Sequence, residues 1–445
     1  MEQGKTSISA RLLDWVRSTK RSAEWADRDD LRQSGRRAGA LDMQAVLLLA
    51  VQGLYAAATA LSGTFVPIYL WKTSQSLLVV GWFTLWQYAI AGLTFWIAGK
   101  WVKERNKMNS LRLGIVLSGL FYCVILLLDR QATHYVMLLG ALSGLASGFF
   151  WLAYNVVYFE ITEPDNRDKF NGWAGLLASA AGIFAPWISG MLIVAFAGGA
   201  GYRLIFTISL IIFGVCAATS FWLKKRKSTG SYSWGYGFRR LRDDDPGWRA
   251  VFLSLIAQGV REGVFMFLIG LLVYLVTRNE QTLGTYSLWT SLVGLIAFLL
   301  VGRLLTMRNR VPAMLIGAVM LTLVILPLLW RLDYTTLLWF GIGTALFLPL
   351  YTIPMTSSVF DRIGATTEAA SRREEFIVLR EAGLVLGRLI GLAAYLLVAV
   401  RTSEPSDLIW QLLGVGIMPS LGWIFIRRYL LRPGSAQATA SRQHN

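Results

Sequence analysis

The chain has 445 residues, 55% hydrophobic and only 16% charged, with a mean hydropathy of +0.51. Soluble domains carry about 25% charged residues, so an ordinary soluble enzyme is excluded. A formal net charge of +17 raises nucleic-acid binding, but the placement of the basic residues along the chain explains that charge without it.

The Met1–Asp42 segment is polar and mixed in charge, and lacks the apolar core of a signal peptide. Leu12, Leu13, Trp15 and Val16 suit a short interfacial helix; a mobile tail is the alternative. Apolar runs then follow one another, many of them longer than the ~20 residues needed to cross a bilayer as helix, the third being short. Six are predicted in the first half: Met43–Trp71, Leu77–Ala98, Leu113–Leu128, Tyr135–Phe159, Trp173–Ala197 and Leu204–Leu223. A basic, Ser/Gly/Tyr-rich linker, Lys224–Arg249, separates these from six more: Ala250–Val276, Thr282–Leu304, Val311–Trp330, Leu337–Val359, Phe376–Val400 and Leu408–Ile426. The roughly 10-residue alternation of barrel strands is absent. The fold class is therefore an all-α polytopic membrane protein. It has five parts: a tail (1–42), an N-terminal six-helix bundle (43–223), the linker (224–249), a C-terminal six-helix bundle (250–428) and a tail (429–445).

Of the 43 Lys and Arg, 34 lie in the tails and even-numbered loops. The odd-numbered loops hold one each: Lys72, Arg130, Arg203, Arg278, Arg331 and Arg401. This asymmetry predicts that both tails face the cytoplasm. Cys123 and Cys216 fall inside spans and the chain has two His, which leaves no Cys/His metal cluster and predicts packing roles for the thiols.

The two halves repeat each other in register. Gly81, Leu85-Trp86, Gly99 and Arg105-Asn106 recur 203 positions later as Gly284, Leu288-Trp289, Gly302 and Arg308-Asn309. Repeats of this kind surround a single transport path in many membrane carriers. The twelve spans, the duplication, the long basic central loop and the Gly-plus-basic motif in both the 2–3 and 8–9 loops resemble the major facilitator superfamily, over Met43 to Arg428. The family's Gly-x-x-x-Asp signature reads Gly99-Lys100-Trp101-Val102-Lys103 here, with Lys103 in the Asp position. The fourth span lacks the Arg of many proton-coupled members and carries Gly140, Gly144 and Gly148, a close-packing pattern. In the fifth span, Gly172, Ala181, Ala185-Pro186 and Gly190 follow the antiporter spacing, with Ala replacing two glycines. The resemblance implies two rocking bundles, a midplane site, proton coupling and helices 7 and 11 as neighbours.

The seventh span contains Gln258, Arg261 and Glu262, and the eleventh Arg380, Glu381 and Arg388. Counted at ~1.5 Å per residue, Glu262 and Arg388 reach similar depth near mid-bilayer. An ion there costs at least ~2.5–3.5 kcal/mol unless paired or wetted. We expect a Glu262–Arg388 pair with Glu381 on the same helix face. Arg261, about 100° round from Glu262, would then face the cavity as an anion clamp. The alternative reading is a fixed network locking helices 7 and 11. Gln52 and Tyr55 in the first span stand where Gln258 and Arg261 stand in the seventh, so one wall is neutral and the other charged. Trp82, Trp86, Trp151 and Trp187 form the apolar side or sit in belts and packing. Asp165-x-Arg167-Asp168 and Ser371-x-Arg373-Glu374 precede spans 5 and 11; they cap those helices or pair with Arg105 and Arg308 as a gate.

These features predict a secondary transporter of a small amphipathic or anionic molecule, not an enzyme. Export by alternating access, drive by a proton gradient with no cofactor, and a monomer in a bacterial plasma membrane complete the expectation. The partners are substrate and bilayer, with no nucleic acid. A sensor or scaffold on a transporter fold, and a membrane enzyme acting on lipid-linked substrate, are the alternatives.

Overall fold

The computed structural model describes residues 41–162, 164–196, 199–224, 231–242, 246–363, 372–401 and 407–430. Residues 1–40 and 431–445 of the tails, and Ser371, lie outside the described residues. Among the described residues every regular element is a helix. In lipid each backbone N–H and C=O must be satisfied within its own segment, which a helix does.

The first span is a bent pair, α1 (Met43–Gly63) and α2 (Val66–Ser74). Asp42 caps α1 by accepting from the Ala45 N–H at 2.7 Å, and Pro67 sits in the first turn of α2, where its missing donor is tolerated. Then come α3 (Leu77–Glu104), α4 (Lys107–Leu128), α5 (Val136–Ile161), α6 (Pro164–Ala195) and α7 (Ala200–Ser220). The linker contributes α8 (Tyr236–Arg242). The second half is α9 (Pro246–Thr277), α10 (Glu280–Leu304), α11 (Arg310–Leu323), α12 (Tyr334–Ile363), α13 (Arg373–Ala399) and a last span split into α14 (Asp407–Gly416) and α15 (Met418–Leu430).

The expected spans thus appear, with three corrections. The third runs longer, from Lys107, and joins the fourth through a 3-10 turn at Asp129–Tyr135. The ninth ends its α-helix at Leu323 and the twelfth breaks at Ile417. More consequentially, Gly99, Lys100 and Lys103 belong to the last turns of α3, so most of the expected 2–3 loop motif is helix. Asn106 caps α4, its side chain accepting from the Met108 N–H at 3.0 Å.

Pairing of the helices follows the repeat. In the N-terminal bundle α3 packs on α5 and α1 on α6; in the C-terminal bundle α10 packs on α12 and α9 on α13. The bundles meet along two seams, α3 with α13 and α6 with α10. The 203-residue shift maps Leu77, which starts α3, onto Glu280, which starts α10. The Gly140–Gly144–Gly148 stripe packs as expected: Cβ atoms there would fall 2.3, 2.4 and 2.6 Å from Phe83 O, Gln87 O and Thr94 Cβ on α3.

Candidate functional site

Glu262 is the midpoint of α9 and is held against α13 by close backbone contact. A Cβ on Gly259 would fall 2.2 Å from Leu384 O, one on Gly387 2.1 Å from Ile256 O, and one on Gly391 2.3 Å from Val260 O. Only glycine permits that approach, so the two helices run nearly backbone to backbone. The contact brings the charges together. Arg388 Nη2 donates to Glu262 Oε2 at 3.1 Å and its Nη1 to Glu381 Oε1 at 2.7 Å. Gln258 Nε2 donates to the other Glu262 oxygen at 2.7 Å. Tyr88 of α3 lies 5.2 Å from the Arg388 guanidinium and brings the opposite bundle onto this triad.

The triad opens onto a cavity of about 760 Å3 between the bundles. Glu262, Arg380, Glu381 and Arg388 make its charged wall. Opposite stand Tyr55, Phe83, Tyr88, Phe95, Phe121, Tyr122 and Phe213, with Gln87, Ser143, Ser147 and Asn155 as neutral polar groups. Tyr55 is stacked on Phe150 at 3.5 Å between centroids, which fixes that wall. Pockets of this size, mostly apolar with a few convergent polar groups, are the usual form of small-molecule sites. Two nitrogens of Arg388 are taken by carboxylates, whereas Arg380 lines the cavity and makes no ion pair among the described residues.

Ion pairs join the bundles at both ends of the molecule. At one end Lys72 Nζ meets Glu280 Oε1 at 2.8 Å, and Tyr202 donates to the same oxygen at 2.9 Å. Trp71 packs against Tyr274 there, under the Arg278 guanidinium. The other end lies a full α3 length away, about 40 Å for its 28 residues. There Lys103, 5% exposed, reaches Glu375 at 2.8 Å and Glu374 at 3.5 Å. The linker lies across this pair. The Tyr232 N–H donates to Glu104, the Ser233 N–H to Glu375, and Arg372 to the Ser231 carbonyl. Burial first, and then the Glu375 and Glu374 carboxylates, push the Tyr232 phenol above its ordinary range.

Comparison with known proteins decides what this architecture is. The family model described as Major Facilitator Superfamily matches residues 48–370. The chain belongs to that superfamily. It is 36% identical over 382 residues to the uncharacterized protein YqgE of Bacillus subtilis (strain 168), a match spanning 86% of this chain and 89% of that one. The fold resembles a bacterial homologue of the iron transporter ferroportin in an inward-facing state, at 17% identity and a TM-score of 0.66, over 88% of this chain and 99% of that one. It also resembles the nucleoside transporter NupG, at 12% identity and a TM-score of 0.64, over 86% of this chain and 99% of that one. The protein is a multi-pass membrane transporter of the superfamily, not an enzyme.

Glu262 and Arg388 meet as the spacing predicts, with Glu381 on the same guanidinium; the structure adds that Gln258 orients Glu262 and that Arg380 lines the cavity. Arg261 does not. It is 5% exposed, absent from the cavity wall, and turned into the C-terminal bundle with its guanidinium 4.2 Å from the Phe265 ring. The ~100° step between neighbours on a helix explains this, because Glu262 already points to the cavity. Gln52 is likewise turned inward and accepts from Tyr154 Oη at 2.5 Å. Of the four tryptophans only Trp151 lines the cavity; Trp82 and Trp86 face outward and Trp187 packs beside Gly284.

The gate also differs from expectation. Arg105 and Arg308 are exposed and make no ion pair among the described residues, while Lys103, two residues earlier than Arg105 on α3, takes Glu374 and Glu375. Gly99 is where the linker's Tyr232 presses on α3, a Cβ there falling 2.7 Å from Tyr232 Oη. Gly302 has open space around it, and Asn309 starts α11 without a side-chain cap bond, so the second copy of the motif has no matching contact. The side chains of Asp165, Arg167 and Asp168 lie outside the described residues. Lys72 and Glu280 escaped the sequence reading; the one available signal was that Lys72 is the lone basic residue of its loop, facing the acidic start of span 8.

Proposed function

We propose that this chain is a secondary transporter that moves a small amphipathic anion by alternating access, with Arg380 as the group that holds the anion. The observation that carries the reading is a cavity between two ion-paired ends, with one aromatic wall and one charged wall. The charge of Arg388 is already met by Glu262 and Glu381, so Arg380 is the cation of the wall left to meet a carboxylate or phosphate. The rings opposite suit the apolar part of the same molecule. In the positive-inside reading the tails and the Lys103 end are cytoplasmic, in a bacterial plasma membrane, and the chain works as a monomer.

Proton coupling enters through the triad. Two carboxylates share one guanidinium, so protonating either frees part of Arg388 and changes the charge of the wall. Export is the direction we assign, following the antiporter-like spacing of α6. Iron, the cargo named for the ferroportin homologue, is less well suited. Glu262 and Glu381 are both engaged by Arg388, and no group of three or more His, Cys, Asp or Glu able to hold a metal occurs among the described residues.

The test uses the full chain with Cys123 and Cys216 replaced, reconstituted in vesicles, with single cysteines at Thr59 or Ser147. Alternating access predicts labelling from each side in turn, shifted by pH. Labelling confined to one side under every condition overturns it. A panel of amphipathic carboxylates and amines, read by thermal stabilisation, tests the substrate class. Carboxylates should bind, and Arg380→Gln should weaken them about tenfold or more, the value of a charged hydrogen bond. Equal binding by the variant, or a preference for amines, overturns the assignment to Arg380.

A further inference from the structure

We propose that the interior of the C-terminal bundle holds a second, separate site for a small monovalent anion of the chloride class, built by Arg261 and Tyr351. Neither residue lines the transport cavity. Arg261 is 5% and Tyr351 1% exposed, so both are sealed from solvent. The Nε and Nη2 atoms of Arg261 and the Oη of Tyr351 have no hydrogen-bond partner, although buried groups of this kind are nearly always satisfied.

These atoms converge. Arg261 and Tyr351 interact electrostatically across the α9–α12 contact. Tyr351 Oη is placed beside Gly422 of α15, where a Cβ would fall 2.2 Å from it, and that same Cβ would lie 3.5 Å from Ala257 of α9. Ala257 is one helical turn before Arg261 and so shares its face of α9. The tyrosine hydroxyl and the guanidinium are therefore neighbours, at a spot where the small Gly422 and Ala257 admit the hydroxyl. Three donors, two of them on one charged guanidinium, describe an anion site rather than a cation site.

Charge balance points the same way. The ionised groups in the middle of α9 and α13 are Arg261, Arg380, Arg388, Glu262 and Glu381, which sum to one positive charge. Glu262 lies within electrostatic reach of both Arg261 and Tyr351, but Arg388 and Gln258 hold its two oxygens and it gives the Arg261 donors no hydrogen bond. A single monovalent anion beside Arg261 neutralises the set. The Phe265 ring flanks the guanidinium at 4.2 Å, so a partner held among these packed helices has to be small, of halide size rather than an organic acid.

The experiment titrates the purified full chain with chloride against gluconate at constant ionic strength and follows the melting midpoint. We expect a saturable upward shift with chloride and none with gluconate. Tyr351→Phe keeps the ring and removes one donor, and should weaken half-saturation about tenfold or more. Arg261→Gln should abolish the response. Bromide-soaked crystals of the unsubstituted protein should show anomalous density beside Arg261, a readout that does not depend on any variant folding. A midpoint indifferent to chloride overturns the proposal. So does a chloride response unchanged in Tyr351→Phe, or bromide density confined to other basic residues.

Discussion

Arg388 shows how one side chain decides a neighbourhood. Its two nitrogens serve two carboxylates, and each of those would otherwise be a lone charge at mid-bilayer depth. Arg388→Ala leaves both uncompensated, and removing one partner of a buried pair costs about 3–5 kcal/mol. We expect a large fall in melting midpoint, partly restored by also replacing Glu262 and Glu381 with Gln. A single variant as stable as the parent would show that water, not Arg388, neutralises these acids. A milder case sits outside the membrane. Asp333 accepts from the Thr336 N–H at 2.8 Å at the start of α12, and that bond, with the Thr336 hydroxyl and Arg331, holds its carboxyl below the ordinary value of 3.8. A depressed acid stabilises above its unfolded pKa and loses that contribution as pH falls through the lower folded value. Asp333→Asn should therefore be less stable than the parent near neutrality and converge with it in acid. Parallel melting curves across that window would exclude a role for the charge.

At the scale of elements, the α9–α13 contact matters most, because the triad exists only while those backbones touch. Gly387→Leu places a Cβ 2.1 Å from Ile256 O, in a contact with nowhere to yield. Overpacking costs about 1–3 kcal/mol or more, and the helices must part. The expected result is lower stability together with loss of anion binding. Gly302→Ala is the control: it has open space around it on α10, and gains up to about 1 kcal/mol of helix propensity. Equal effects at the two positions would mean that glycine content, not contact, governs this fold.

For the whole molecule, the proposed alternating access requires that of two ion-paired ends, separated by the length of α3, one be broken to open one side. Cysteines at Lys72 and Glu280, or at Lys103 and Glu375, joined by a short thiol cross-linker, should each halt transport in vesicles, and a reducible linker should restore it. Transport that continues through either cross-link would show that end to be static. The linker strengthens the Lys103 closure, since Tyr232, Ser233 and Arg372 tie it to α3 and α13 together. Replacing Ser231–Trp234 with glycines should therefore raise labelling of cavity cysteines from the Lys103 side.

Spans, duplication and depth were legible in the sequence because a bilayer imposes them residue by residue: apolar length, basic flanks and a fixed rise per turn. Glu262–Arg388 was legible for the same reason, both residues lying at one depth on helices that each carry closely spaced glycines. The direction of Arg261 was not, nor was the choice of Lys103 over Arg105 as the gate. Those depend on how far each helix is rotated about its own axis. Gly259, Gly387 and Gly391 set that rotation on one side and the contacts of α3 with α5 and α13 set it on the other. Composition and periodicity determine that this chain crosses a membrane in two matching halves. Only tertiary packing decides which charged side chains face the cavity, which close its ends, and which are buried between helices, since a turn of one residue moves a side chain by about 100°.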